Sequence, residues 1–309
     1  MTILITTIQL LFVPALAPLV VGWIRKIKAI MQNKQGASVL QPYKDIWKLW
    51  NKNETASEDA SWIFFAAPRI VFAVTLAAGA IIPIFLFHNY LGSFGDFIVL
   101  IYLFALATFF LALGGLDVGN AFGDMGSSRE MTLAALTEAG LFFSLLPAAV
   151  IADSTNLTTM FVGSSDIGGV HILALVICGV AFFIALLSEN ARYPFDNPST
   201  HLELTMVHEA MIIEHSGKSL GLMEWAAANK LLIFLILAVN IFFPWGTPAP
   251  TDIPKLFYAL LLLSAKILTA ATIIAIIEST IPKLRYFRLP ELLLTSFVLG
   301  GAALALAMY

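Results

Sequence analysis

Eight stretches of this chain run apolar for about twenty residues each, and that pattern limits what it can fold into. Inside a bilayer no water is present to satisfy backbone N–H and C=O groups, so each stretch must close its own hydrogen bonds as a helix. The reading is an all-α membrane protein, with transmembrane helices at roughly 3–23, 62–88, 97–114, 131–152, 169–188, 224–243, 254–279 and 289–308. Pro14, Pro18 and Pro83 fall inside these spans, where membrane helices tolerate them as kinks. Of the 309 residues, 59% are hydrophobic and 12% charged, which leaves no material for a soluble domain. Residues 1–309 therefore read as a single transmembrane domain without an internal repeat. A net charge of −3 provides no footprint for nucleic acid. The lone Cys178 sits in an apolar run and can form neither an intrachain disulfide nor a cluster site. The start "MTILITTIQL" has no basic region ahead of its apolar run, so a retained helix is expected rather than a cleaved signal.

Charge sets the expected orientation. Of the seventeen Lys and Arg, seven fall in the first loop, one in the third, two in the fifth and three in the seventh, while the second, fourth and sixth loops have none. By the positive-inside rule the odd loops 1, 3, 5 and 7 are cytoplasmic and both termini lie outside. The even loops ("HNYLGSFGD", "DSTNLTTMFVGSSDIG", "PWGTPAPTD") read as connections, so the working face is the odd-loop face.

Several ionisable groups stand where a plain anchor would have none. The first loop is basic and amphipathic, with Trp47, Leu49 and Trp50 among Lys44, Lys48 and Lys52, as in a segment lying on a bilayer surface or a partner. Glu138 follows the start of its expected helix by about 10 Å at 1.5 Å per residue. A carboxylate at the centre of a lone membrane helix costs on the order of 3 kcal/mol, so Glu138 should face a polar interior or be protonated part of the time. Lys266 lies about 20 Å from the cytoplasmic end of its helix, too deep to snorkel there, and is expected to pair with a carboxylate. Glu278 is near enough to the interface to reach it.

The richest stretch is "SENARYPFDNPSTHLELTMVHEAMIIEHSG", Ser188 to Gly217. It holds Glu189, Asp196, Glu203, Glu209 and Glu214, with Arg192 and three histidines. Read as one helix over "STHLELTMVHEAMIIEHSG", Glu203 and Glu214 share a face within about 20°. His201, His208 and His215 then form a neighbouring stripe that titrates near neutral pH. Such a string is able to pass protons. A solvated acidic loop is the plainer reading, but it leaves Glu138 and Lys266 unexplained. "HEAMI" lacks the second histidine of a zincin, and "EHSGKS" has Ile212 where a P-loop needs glycine.

"ENARYPFDNPSTHLEL" with "IIEHSG" resembles the signature loop of subunit 1 of respiratory complex I, and resembles still more the equivalent subunit of membrane-bound group 4 nickel–iron hydrogenases and formate hydrogenlyases. "QNKQGASVLQPYKDIWKL", "GSSREMTLAALTE" and "ESTIPKLRYFRLPELL" agree in order, so the resemblance covers nearly the whole chain. Departures are "GAS" at 36–38 where complex I has "GPN", a longer segment between Leu204 and Glu214, Glu278 in place of an arginine, and Phe287 in place of an aspartate. These favour the hydrogenase branch.

The resemblance implies a subunit in the inner (cytoplasmic) membrane that joins the membrane arm to an electron-transfer arm. Its partners would be the hydrogenase large and small (iron–sulfur) subunits and antiporter-like membrane subunits. The nickel–iron site and iron–sulfur clusters would belong to those partners, and this chain would hold no metal. Proton transfer would run through Glu138, Glu189, Glu203 and Glu214, with Asp196, Glu209, Glu224 and Lys266 added from their location. Arg129 and Arg192 would balance charge. Gln32, Gly36, Gln41, Pro42, Asp45, Lys48 and Arg285 would dock the partner. The ion would be the proton, or alternatively sodium. The competing expectations are a quinone-site subunit of a complex I-type oxidoreductase, a stand-alone ion transporter and a passive anchor.

Overall fold

The computed structural model describes residues 2–84, 94–164, 169–196, 206–245 and 253–309. The described residues form eleven α-helices: α1 (Thr2–Met31), α2 (Gln41–Trp50), α3 (Trp62–Ile81), α4 (Phe97–Leu116), α5 (Ala121–Ile151), α6 (Leu157–Gly163), α7 (Val170–Glu189), α8 (His208–Ile212), α9 (Gly217–Phe242), α10 (Ile253–Thr280) and α11 (Leu289–Ala307). Eight are long and apolar enough to cross a membrane, as the hydropathy pattern predicts. The other three, α2, α6 and α8, are connections.

Four helices start or end well outside the expected bounds. Helix α3 ends at Ile81 instead of 88: Ile82, before Pro83, is extended, so Pro83 follows the helix instead of kinking it. Helix α5 begins ten residues early, at Ala121 instead of 131. Its first turns read "AFGDMGSSRE", which looks like a loop because Gly and Ser are poor helix formers. The glycines are there for contact. A Cβ on Gly123 would lie 2.2 Å from the Gly115 carbonyl oxygen of α4, and one on Gly126 would lie 2.8 Å from Ala210 Cβ of α8. Small residues let these backbones approach closely. Helix α9 likewise begins at Gly217 instead of 224, and α1 continues past 23 to Met31, carrying Arg25, Lys26 and Lys28 on its last turns. Arg129, Glu130 and Lys218 therefore sit on helices rather than in loops.

Helix α1 also shows how its prolines are accommodated. Pro18 has no N–H to offer the Pro14 carbonyl, four residues back. The Trp225 indole N–H of α9 takes that carbonyl at 2.9 Å. The Tyr43 hydroxyl of α2 donates to the next one, Ala15 O. Two neighbouring helices thus repair the opened ladder and are fastened to it.

Helix α9 is the centre of the bundle, with 72% of its spanning window buried against at most 50% for any other span. It packs on α1, α2, α3, α7 and α10. On the other side α4, α5, α7 and α11 pack together through small residues. Ser296 donates to the Ala181 carbonyl at 2.7 Å, and a Cβ on Gly300 would lie 2.7 Å from the Phe143 backbone.

The connections gather at two ends. At one end Asp117, after α4, accepts from Ser61 N at 2.8 Å and Phe64 N at 3.2 Å at the start of α3. There too Thr55 N donates to Ser216 Oγ at 2.8 Å, and Leu284 N to Pro194 O at 3.1 Å. Odd loops 1, 3, 5 and 7 are therefore together. At the opposite end Gln9 Nε2 reaches Ile82 O at 2.7 Å, Leu157 N reaches Gly95 O at 2.7 Å and Asn240 Nδ2 reaches Pro83 O at 3.4 Å.

Candidate functional site: a charged cavity and a line of carboxylates

A cavity of about 230 Å³ opens among α1, α2, α3, α4, α8, α9 and the turn after α7. Its wall is apolar at Val71, Ala107, Leu111, Ile212 and Met223. Eight charged side chains also line it: Arg25, Lys28, Arg192 and Lys230 against Glu189, Asp196, Glu209 and Glu224. Buried charges persist only when they are paired, and the pairs are explicit. Lys230 Nζ lies 2.7 Å from Glu189 Oε1, with both side chains largely buried. Glu278 of α10 is held by Lys28 at 2.8 Å and Arg192 at 3.3 Å. Lys283 lies 2.8 Å from Asp196 Oδ1. The second Asp196 oxygen accepts from Val207 N at 3.0 Å and His208 N at 3.1 Å. Asp196 therefore supplies the cap that Val207, at the start of α8, does not.

A second, smaller gap continues from the cavity toward α5. It is lined by Glu130, Thr137, Ser188, Glu189, Ala191 and Asp196 among others, so Glu189 and Asp196 border both spaces. Glu130 and Thr137, seven residues apart, share one face of α5. Thr137 Oγ1 and Ser188 Oγ are 2.8 Å apart, joining the residue before Glu138 to the residue before Glu189. Glu138 is half-buried and within electrostatic reach of Glu189 and Lys230. From the cavity inward the acids thus run Glu224 and Glu209, then Asp196 and Glu189, then Glu130 and Glu138.

Outside the spans, burial decides which groups titrate near neutral pH. Glu209 is pushed up to about 7 by burial and by Glu224 and Asp196, against Arg25. His208 is pushed down to about 4 by burial and Lys230, against Asp196. His215 is also pushed down to about 4 by burial, against Glu54. Its ring stacks on Phe64 at 4.1 Å, and neither nitrogen has a partner among the described residues. Because the fold favours neutral His215, stability is complete above the unfolded pKa near 6.5 and is lost as pH falls through 6.5 toward 4. The loss expected at pH 4 is about 3 kcal/mol. His215→Phe should flatten that part of the thermal-midpoint profile in detergent, and an unchanged profile would show that His215 does not titrate there.

Several sequence expectations need correction. The continuous helix does not form: α8 spans only His208–Ile212, so neither the histidine stripe nor the shared face of Glu203 and Glu214 follows. Glu203 and His201 lie outside the described residues. Burial holds His208 and His215 down to about 4, so neither titrates near neutral pH as the stripe reading expects. Glu214 is exposed, accepts from the Asn120 side chain and borders neither space. Among the described residues Lys266 meets carbonyls rather than a carboxylate, donating to Phe243 O at 2.8 Å and Trp245 O at 2.6 Å. These are carbonyls left unpaired at the end of α9. Pro42 is buried beside Gly22 and lines the cavity, so it holds α2 down and is not at an outer surface. Asp45 accepts from Gln41 at 2.8 Å and faces Arg25 at 3.7 Å. The Gly36 carbonyl accepts from Lys26 at 3.2 Å, and the Gln32 side chain accepts from Lys34 at 3.3 Å. Lys48 and Arg285 are exposed. Arg129 lies over the Tyr286 ring at 5.8 Å, and Arg192 lies 3.3 Å from Glu278.

Sequence reasoning passed over Glu130, Lys230 and the Lys28–Glu278 contact. The signal for Lys230 was present: it is a single cation in the apolar run "AAANKLLIFLIL", the same kind of signal that singled out Lys266. Among the described residues no group of three His, Cys, Asp or Glu side chains is placed to hold a metal ion.

Residues 3–309 match the family described as NADH dehydrogenase. This chain belongs to that family. Within it, the chain is 34% identical over 309 residues to formate hydrogenlyase subunit 4 of Escherichia coli strain K12, covering 99% of this chain and 98% of that one. It is 33% identical over 293 residues to hydrogenase-4 component C of the same strain, covering 93% and 90%. It is 27% identical over 296 residues to an NADH-quinone oxidoreductase subunit of Anaplasma phagocytophilum strain HZ, covering 87% and 84%. The fold matches a chain of the membrane-bound sulfane sulfur reductase, an archaeal respiratory membrane complex, with a TM-score of 0.85, 18% identity and 99% of both chains covered. The NADH dehydrogenase family resemblance read from the signature loop is therefore correct, including its lean toward the hydrogenase branch.

Proposed function

We propose that this chain is the ion-carrying connector subunit of a multisubunit membrane hydrogenase related to complex I. The observation that carries this reading is the line of carboxylates from the cavity through Glu189 to Glu138 on α5. A passive anchor has no use for it, since buried charges cost stability unless they are paired. The relatives' names supply the redox context, as subunits of a formate hydrogenlyase and a hydrogenase.

In this reading the odd-loop end faces the cytoplasm of the inner membrane and receives the large and iron–sulfur subunits. The exposed Lys48 and Arg285 serve as contacts for them. The nickel–iron site and the clusters belong to those partners, and antiporter-like subunits take up the ions. Redox events above the cavity alter the local field, and Glu209 answers by binding or releasing a proton near neutral pH. The proton then moves by way of Glu189 toward α5.

A second reading rests on the apolar cavity wall. Val71, Ala107, Leu111 and Met223 suit the tail of a quinone substrate, with Arg25 at the charged side. One purification separates the two. The chain is pulled down in mild detergent, its partners identified by mass spectrometry, and bound quinone extracted. A nickel-containing large subunit without quinone supports the hydrogenase reading. A nickel-free partner with stoichiometric quinone supports the second. A chain that purifies alone and moves ions by itself overturns both in favour of a stand-alone transporter.

A further inference from the structure

Lys230 is the cavity-lining cation whose charge acts on Glu189, in the middle of the carboxylate line, and on Glu130 and Glu138 at its inner end. It pairs with Glu189 of α7 at 2.7 Å and lies 5.8 Å from the centre of the Phe104 ring of α4. Its charge also acts on Glu130 and Glu138 of α5 and on His208 of α8. Of the other cavity cations, Lys28 and Arg192 pair with Glu278, while Arg25 faces Asp45 at 3.7 Å and acts on Glu209 and Glu224 at the cavity end. The lysine side chain is a point charge on a flexible four-carbon stem, so it is able to change partners without moving a helix.

We propose that Lys230 is the positioning residue that makes proton transfer from Glu189 to α5 directional, by exchanging Glu189 for an ionised carboxylate of α5. The inference rests on the ion-carrying reading above. In the resting arrangement the ammonium faces ionised Glu189. A proton arriving from the cavity side neutralises Glu189, and the ammonium turns to Glu130 or Glu138. As the ammonium swings back to Glu189 it lowers that group's proton affinity and frees the α5 carboxylate to accept, and the Glu189 proton passes to α5 along the hydroxyl pair Ser188–Thr137, each hydroxyl accepting one proton and releasing another. The α5 carboxylate becomes a neutral acid, and Glu189 becomes a carboxylate paired with Lys230 again. One proton has moved and the ammonium keeps all three of its own. Without the lysine, nothing attracts charge back to Glu189, and the proton is as free to return as to advance.

The test uses the whole complex in sealed vesicles, reading ions moved per electron transferred. Lys230→Met is expected to lower that ratio at least tenfold, whereas Lys230→Arg, which keeps the charge, retains a third or more of it. A purely structural role would not separate the two by charge. A wild-type ratio in Lys230→Met, or equal loss in the methionine and arginine variants, overturns the proposal. Glu189→Gln in the same preparation isolates the underlying reading: if Glu189→Gln loses transport while Lys230→Met keeps it, only the role of Lys230 fails. If both keep it, the ion path fails as well. Should Lys230→Met not assemble, the double variant Lys230→Met/Glu189→Gln removes both charges together; it is expected to assemble without transport, and transport in it overturns the proposal.

Discussion

Asp196→Ala is expected to cost about 3–5 kcal/mol of stability, the cost of breaking a buried ion pair from one side. The carboxylate serves three groups at once: Lys283 at 2.8 Å, Val207 N at 3.0 Å and His208 N at 3.1 Å. Alanine removes the Asp196 carboxylate from the Lys283 ammonium and leaves two N–H groups at the start of α8 without this acceptor. Helix α8 has only five residues, too few to hold its place unaided. Asp196→Asn keeps an acceptor for the N–H groups and loses only the charge, so about half the effect is expected. Thermal midpoints in detergent measure both. A midpoint for Asp196→Ala within error of the unaltered protein would mean that the Asp196 contacts do not hold the turn and α8 together.

The second large effect is on transport. Glu189→Gln is expected to lower ions moved per electron at least tenfold, because an amide cannot carry the proton. Two carboxylates border both the cavity and the inner gap, Glu189 and Asp196. Asp196 is committed through both oxygens to Lys283 and to α8. On the proposed reading Glu189, paired with Lys230 at 2.7 Å, takes up the proton and releases it. Transport at the wild-type ratio in Glu189→Gln would remove it from the path.

Much of the fold was legible because hydrophobic runs of membrane length have one structural solution. Helix ends were less legible. Gly123 and Gly126 look like loop residues locally, and only the neighbouring Gly115 and Ala210 explain why a helix there needs them. The site was partly legible, since an ionisable residue in an apolar run is conspicuous. Glu138 was found in that way, and Lys230 could have been. The partners of such residues were not legible, because Lys28 and Glu278 are far apart in sequence and meet only when α1 packs on α10. The histidine pattern misled for a physical reason: a period of seven signals a stripe only where a helix is continuous, and α8 stops at Ile212.

The central claim is that carboxylates carry ions from the cavity to the membrane-embedded part of α5. The most direct test is the proton-to-electron ratio of the reconstituted complex bearing Glu138→Gln, beside a Glu58→Gln control at an exposed position of the first loop. The account predicts a ratio near zero for Glu138→Gln and a normal one for Glu58→Gln. A normal ratio in Glu138→Gln would contradict it.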